Sequence, residues 1–267
     1  MFPRRGDERT RCVRADEKTL RGALAAAACA RYYLHNMEIG IVGSGNIGSL
    51  LARRFAALKH QVLIANSRGP ASLASLAAEA GVTAGTVEQA AKAKDVVILA
   101  ITQKAIPKLP RDAFTAASAI IVDAGNYYPS RDGHIVEIEA GLTDSEWVSR
   151  VLGCPVVKAF NNIVAPSLAS RGLPAGAGER VCLAVAGDEA SDKEVVQGLI
   201  DSLGFDGLDA GSLSDSWRQQ PGAPAYCRDL SRAALAAALA EADAAKVAQY
   251  RAEADEIARP YFAAPPA

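Results

Sequence analysis

The sequence predicts an α/β fold: a doubly wound, mostly parallel sheet with a C-terminal helical extension. Three observations carry this. Continuous apolar runs such as 95–101 (DVVILAI), 119–123 (AIIVD) and 155–160 (PVVKAF) have the pattern of strands buried on both faces. Segments of helical spacing lie between them, as crossovers linking parallel strands require. A glycine-rich loop, Gly43 to Gly48, joins the first apolar run to the first helical segment.

In chain order, residues 37–42 form a short strand ending in Gly-Ser-Gly, and a helix follows over 46–58. Residues 61–65 are a second apolar strand. Pro70 stands at a first helical position, where a missing N–H costs nothing, and that helix runs to Ala80. A short strand near Val82 and a helix over 87–92 lead into the strand 95–101. Beyond Phe160, residues 180–186 read as a strand, 189–203 as a helix and 205–209 as a final short strand. Residues 211–227 are rich in Ser, Gly and Pro and read as a loop. Residues 229–258 carry Ala, Leu and charges spaced for one long helix, and the proline-ended tail 259–267 is expected to fray.

Composition narrows the function classes. With 29 basic and 30 acidic residues and a net charge of −1, nothing favours nucleic acid. Five scattered cysteines without a Cys-x-x-Cys pair, and three histidines, supply no local metal-ligand spacing, so no metal is expected. Scattered thiols suit the reducing cytoplasm. Residues 1–36 are expected to be an N-terminal extension, disordered or loosely helical. Their Ala-rich run 22–30 is too short to span a bilayer, so no membrane partner is expected. Acids interspersed among their arginines do not fit a secretory leader, and Met37, directly before the first strand, is an alternative start.

Gly43-Ser44-Gly45-Asn46-Ile47-Gly48 follows a strand and opens a helix, the setting that the Gly-x-Gly-x-x-Gly dinucleotide fingerprint requires. Gly43 permits the tight turn, Gly45 lets backbone approach a pyrophosphate, and Gly48 allows helix to pack on strand. The helix start at Asn46 and Ile47 offers N–H groups and a positive dipole end. The sheet is therefore a Rossmann sheet, with residues 37–210 as its dinucleotide-binding domain. Residues 211–267 then complete an acceptor pocket or a dimer interface. An NAD site places an acid at the end of the second strand, but Ala65-Asn66-Ser67-Arg68 has none. Arg68 instead offers a permanently charged fork, and Ser67 a hydroxyl, to a 2′-phosphate. The expected cofactor is NADP(H).

The motifs IGIVGSGNIG, ANSRGP, VVILAIT, IIVDAGN, VVKAFNNI and VAGDEASDKEVV together resemble the NADPH-dependent deazaflavin (coenzyme F-420) reductases over about residues 37–210. The related NADPH-binding domain of six-transmembrane metalloreductases has a similar Lys-Ala-Phe-Asn run; no metal reduction across a membrane is implied. The resemblance implies direct hydride transfer to a deazaflavin or flavin co-substrate, a small-molecule acceptor. By position it implies that Ser44, Gly45, Asn46 and Ile47 meet the pyrophosphate, and that Ser67 and Arg68, next to Asn66, meet the 2′-phosphate. It implies that Ala100, Ile101 and Thr102 border the path to the nicotinamide, with Ala159 and Asn161 beside it. The loop 211–227 and the helix after it depart from the small archaeal reductases and bear on the acceptor.

Direct transfer between rings needs stacking and water exclusion more than proton chemistry. In agreement, no tyrosine has a lysine four positions later. His134 is a candidate proton donor, although a solvated loop histidine is the favoured reading. Lys158, within an apolar strand, is expected to snorkel or to pair with Asp123 rather than act as a catalytic lysine. Asn161 and Asn162 end a buried strand and could bind a carboxamide or ring carbonyl, or cap the helix near Pro166. Trp217, Arg218 and Tyr226 could cover an acceptor ring, pack on the domain, or meet a second copy. The competing functions are a β-hydroxyacid or imine-type NADP-dependent dehydrogenase and a non-catalytic NADPH-binding module. The Ala-rich C-terminal helix offers a homodimer face.

Overall fold

The computed structural model describes residues 36–263. The expectations for the extension fall on residues 1–36, of which 1–35 lie outside the described residues. The strands are β1 (Glu38–Val42), β2 (Gln61–Ala65), β3 (Thr83–Gly85), β4 (Val96–Leu99), β5 (Ile120–Asp123) and β6 (Val157–Lys158). They form a six-stranded parallel sheet in the order β3-β2-β1-β4-β5-β6. This is the doubly wound order, with chain direction across the sheet reversing between β1 and β4.

Burial on both faces explains the unbroken apolar runs. In β4, Val96 and Ile98 face one core while Val97 and Leu99 face the other, and all four are fully buried. The first core is closed by α1 (Asn46–Ala57) through Leu51 and Phe55 and by α9 (Ala190–Ser202) through Val196, Leu199 and Ile200. The second takes Phe114 from α4 (Arg111–Thr115) and Trp147, Val148 and Leu152 from α7 (Asp144–Leu152). In α7 the Thr143 side chain accepts from the Glu146 N–H, and the Glu146 side chain accepts from the Thr143 N–H. That reciprocal capping box fixes where the helix starts.

Between β2 and β3 the expected helix starts as a 3₁₀ turn, Pro70–Leu73, and becomes regular in α2 (Ala74–Ala80). A short α3 (Val87–Ala90) leads to β4. After β5 the chain makes three further short helices, α5 (Pro129–Asp132), α6 (Val136–Glu139) and, past β6, α8 (Ala165–Ser170).

After β6 the structure departs from a single continuous sheet. β7 (Cys182–Val185) and β8 (Asp206–Asp209) pair with each other in parallel, and one antiparallel bridge, Lys158 to Ala186, joins them to the main sheet. The expected strand 155–160 shrinks to two residues because Phe160 takes a left-handed φ of 61° and turns the chain out of the sheet.

The single long helix expected over 229–258 is corrected. It divides into α10 (Arg232–Glu241), a 3₁₀ turn (Ala244–Lys246) and α11 (Val247–Ala263). Asp243 causes the break, its carboxylate accepting from the Ala245 N–H at 2.9 Å, so it begins a new helix rather than continuing the old one. α11 runs through Arg259 and Pro260 to Ala263, so the tail is helical that far, and 264–267 lie outside the described residues. The loop 211–227 also contains a 3₁₀ segment, Leu213–Gln219, started by a Ser212/Asp215 capping box. Leu235, Ala238 and Leu239 of α10 bury against Cys182 and Ala184 of β7, which seats the C-terminal part on the small sheet. Among the described residues, no helix is long and apolar enough to cross a membrane.

Candidate dinucleotide and acceptor site

The C-terminal ends of the strands, where open α/β sheets bind ligands, bring the expected residues into two groups. The first lies at the ends of β1, β2 and β4. Gly43 has φ 114°, and a methyl group there would sit 2.2 Å from the Ala100 carbonyl oxygen, so only glycine makes this turn. A methyl on Gly48 would lie 2.0 Å from the Gly43 carbonyl oxygen. Gly45 differs: a methyl there meets nothing within 4 Å. The loop is thus closed from behind by two glycines and open in front at the third.

Backbone bonding does not claim the N–H groups of Asn46 and Ile47 at the start of α1. Such groups, on a twelve-residue helix, point a partial positive charge at the open side of Gly45. Asn66 donates to Ser44 Oγ at 2.9 Å and its Oδ1 accepts from the Arg68 N–H at 2.9 Å, which docks the end of β2 onto the phosphate loop. Ser67 and Arg68 are exposed, and the Arg68 guanidinium has no partner among the described residues. These residues fit a phosphorylated dinucleotide: an open glycine, unclaimed amides and an unpaired guanidinium on adjoining loops. Ala100 and Ile101 line the back of the same loop, against Gly43, and Thr102 follows half-buried.

The second group lies at the ends of β5 and β6. Lys158 is fully buried and pairs with Asp123 Oδ2 at 3.2 Å, one of the two arrangements expected for this strand lysine. Asn161 is buried and saturated. Its Nδ2 donates to Asn126 Oδ1 at 3.0 Å and to the Gln219 carbonyl at 2.7 Å, and its Oδ1 accepts from Gln219 Nε2 at 2.8 Å. Asn126 returns a bond to the Asn161 carbonyl at 3.1 Å. Neither Asn161 nor Asn162 caps the helix near Pro166, since Val164 holds the N-cap position of α8 without any side-chain cap bond. The capping alternative is therefore set aside. Asn162 is 1% exposed, and neither polar atom of its side chain has a hydrogen-bond partner among the described residues. Ala159 is fully buried between these residues and β5, its N–H bonded to the Asp123 carbonyl at 3.2 Å.

His134 is not part of either group. It is largely exposed and its Nδ1 lies 2.9 Å from Glu139 Oε1 on α6, a solvated loop pairing. Asn126 and Gln219 are the contacts that sequence reasoning missed. Asn126 was visible within IIVDAGN at a strand end. Gln219 is 58 residues from Asn161, and no local pattern announces that distance. Trp217 and Gln220 pack near Tyr127, Asp144 and Arg251, while Tyr226 bonds Tyr128 through their hydroxyls at 2.7 Å. Cys227 donates weakly to the Asn161 carbonyl at 3.8 Å, and burial pushes its thiol up to about 11. The segment 212–227 is thus tied to the ends of β5 and β6 at several points.

Comparison with known proteins adds to this geometry. The family model described as NADP oxidoreductase, coenzyme F420-dependent, matches residues 38–127. The solved protein SMa0349 from Sinorhizobium meliloti is 36% identical, with a TM-score of 0.63, covering 75% of this chain and 98% of that one. A candidate F420-dependent NADP-reductase from Arthrobacter sp. FB24 is 24% identical with a TM-score of 0.57, covering 68% and 87% of the two chains, a likeness of fold. The curated protein YjhV of Escherichia coli (strain K12) is 43% identical over 63 residues, which are 24% of this chain and 46% of that relative. This match spans less than half the length of YjhV.

Proposed function

The chain belongs to the coenzyme F420-dependent NADP oxidoreductase family, and on that premise we propose that it passes a hydride from NADPH to a planar acceptor, a deazaflavin or a flavin. The observation that carries the cofactor half is Arg68, exposed and without a side-chain partner among the described residues, beside a phosphate loop open at Gly45. Gly45 leaves room for the pyrophosphate, and the N–H groups of Asn46 and Ile47 hydrogen-bond it along the dipole of α1. Arg68 and Ser67 bind the 2′-phosphate by charge-assisted hydrogen bonds. Ala100, Ile101 and Thr102 guide the chain of the cofactor toward the ends of β5 and β6, and Ala159 and Asn161 form the floor there. When bound, the nicotinamide supplies the hydride.

Asn161 contributes as a fixed surface, because its donors and acceptor are already engaged. Asn162 keeps an unengaged carboxamide at the same strand end and is the candidate to hold a polar edge of nicotinamide or acceptor. The segment 212–227 covers this end and excludes water from it, which is what ring-to-ring transfer requires. Free thiols at Cys154, Cys182 and Cys227 support a reducing, cytoplasmic setting.

A panel assay tests the reading: NADPH oxidation is followed with a deazaflavin, flavins, simple carbonyls and imines. Turnover is expected with one of the planar rings. Turnover confined to carbonyls or imines would move the chain to the hydroxyacid or imine dehydrogenases. Binding without turnover of any acceptor would make it a non-catalytic module.

A further inference from the structure

The peptide between β5 and α5 is held from both sides by one buried ion pair. Asp123 Oδ1 accepts from the Gly125 N–H at 2.8 Å, and Lys158 Nζ donates to the Gly125 carbonyl at 2.6 Å. Asp123 Oδ2 accepts from Lys158 at 3.2 Å and from Ser145 Oγ of α7 at 2.7 Å. Both charged residues are fully buried. Gly125 has no space to adjust, since a methyl group there would lie 2.9 Å from Asp123 Oδ1 and 3.1 Å from the Ile101 carbonyl oxygen.

The residue after the clamped peptide is Asn126. Asn126 exchanges side-chain bonds with Asn161 across the ends of β5 and β6, and its carbonyl accepts from the Arg131 guanidinium. Phe160, between Ala159 and Asn161, is held at a left-handed φ of 61° while only 1% exposed. Such a conformation persists only where its surroundings enforce it. Replacing a buried ion pair by apolar groups is often neutral or stabilising, so stability alone is a poor reason for this pair. Its place beneath the second, nicotinamide-side half of the sheet suggests a better one.

We propose that Lys158 and Asp123 are positioning residues: their ion pair clamps the Gly125 peptide and thereby sets the Asn126–Asn161 floor against which the nicotinamide ring is aligned for transfer. The proposal rests on the reading of the chain as an NADPH-dependent reductase. Among the described residues the bonds of the clamp run to Gly125 and Ser145 and not to the pyrophosphate loop or Arg68, so it governs alignment of the ring rather than affinity for the dinucleotide.

The test uses Lys158→Met and the double variant Lys158→Met with Asp123→Asn in the full chain. Four quantities are measured: melting temperature, NADPH affinity by calorimetry, anisotropy of the bound nicotinamide's fluorescence without acceptor, and kcat with the acceptor from the panel. The single variant leaves a buried carboxylate without its cation and is expected to melt earlier. The double variant removes both charges and should regain much of that loss. It should nevertheless keep a lowered nicotinamide anisotropy and a kcat reduced about 10–100-fold, the scale of a misaligned reacting group. Its affinity for NADPH should stay within about threefold of the parent, because the phosphate contacts are untouched. A double variant with parental anisotropy and kcat overturns the proposal. So does one in which stability, affinity and kcat fall together, which marks the pair as structural only. Because anisotropy is read without acceptor, a failure to find any acceptor counts against the functional reading and not against the clamp.

Discussion

Replacing Arg68 by Glu is expected to weaken NADPH binding by about 100- to 1000-fold while changing NADH binding less than about threefold, or improving it. The size follows from losing hydrogen bonds to a charged group, about 1.5–3 kcal/mol, and from adding repulsion between a carboxylate and the 2′-phosphate. The same carboxylate can accept from the free 2′-hydroxyl of NADH, the arrangement that NAD-selective sites use. Arg68 is exposed and its guanidinium has no partner among the described residues, so the substitution should leave melting unchanged. Calorimetry with both nucleotides reads the outcome. Equal losses for the two would show that Arg68 does not face the phosphate.

Gly45→Val is the second large effect, and its contrast with Gly48→Ala makes it informative. At Gly45 the backbone is at φ −74° and ψ −170°, which valine adopts readily, and an added Cβ meets nothing within 4 Å. The variant should fold with a parental melting temperature. In the bound state, however, that space belongs to the pyrophosphate. Losing two amide contacts at about 1.5–3 kcal/mol each lowers affinity by more than about 100-fold for NADPH and NADH alike. Gly48→Ala puts a methyl 2.0 Å from the Gly43 carbonyl oxygen and should fail by a different route. Overpacking of this kind costs about 1–3 kcal/mol and lowers the melting temperature before binding is considered. A Gly45→Val protein that binds NADPH normally would remove the loop from the site.

These contrasts also mark how far the sequence could be read. β1, β2 and β4 and the loop between β1 and α1 were legible because burial on both faces writes an unbroken apolar run, and because the fingerprint needs glycine at fixed offsets. For Lys158 the sequence left snorkelling and pairing with Asp123 open, and full burial decides for the pair, because a charge without access to water must find a counter-charge. The short helices α4 to α7 were not legible, since four to nine residues give too little periodicity to register. The break at Asp243 was hidden by high helix propensity on both sides, although Asp is itself a capping residue. The role of Gln219 depends on a contact formed only after the chain has folded back onto β6, and residue types alone carry no trace of it.

Asn161 and Asn162 show the same boundary within the site. Their position at the end of a buried strand pointed to binding, but the sequence left capping equally open. The structure separates them: Asn161 is locked into the clasp with Asn126 and Gln219, and Asn162 holds a carboxamide with no partner among the described residues.

Selection of the phosphorylated dinucleotide by the end of β2 is what the proposed function requires first. Titrating the purified chain in a calorimeter with NADPH and then NADH, at one fixed salt concentration, tests this directly. NADPH should bind at least about 100-fold more tightly, the difference that charge-assisted hydrogen bonds to one phosphate supply. Tighter binding of NADH, or no heat from either nucleotide, would contradict it.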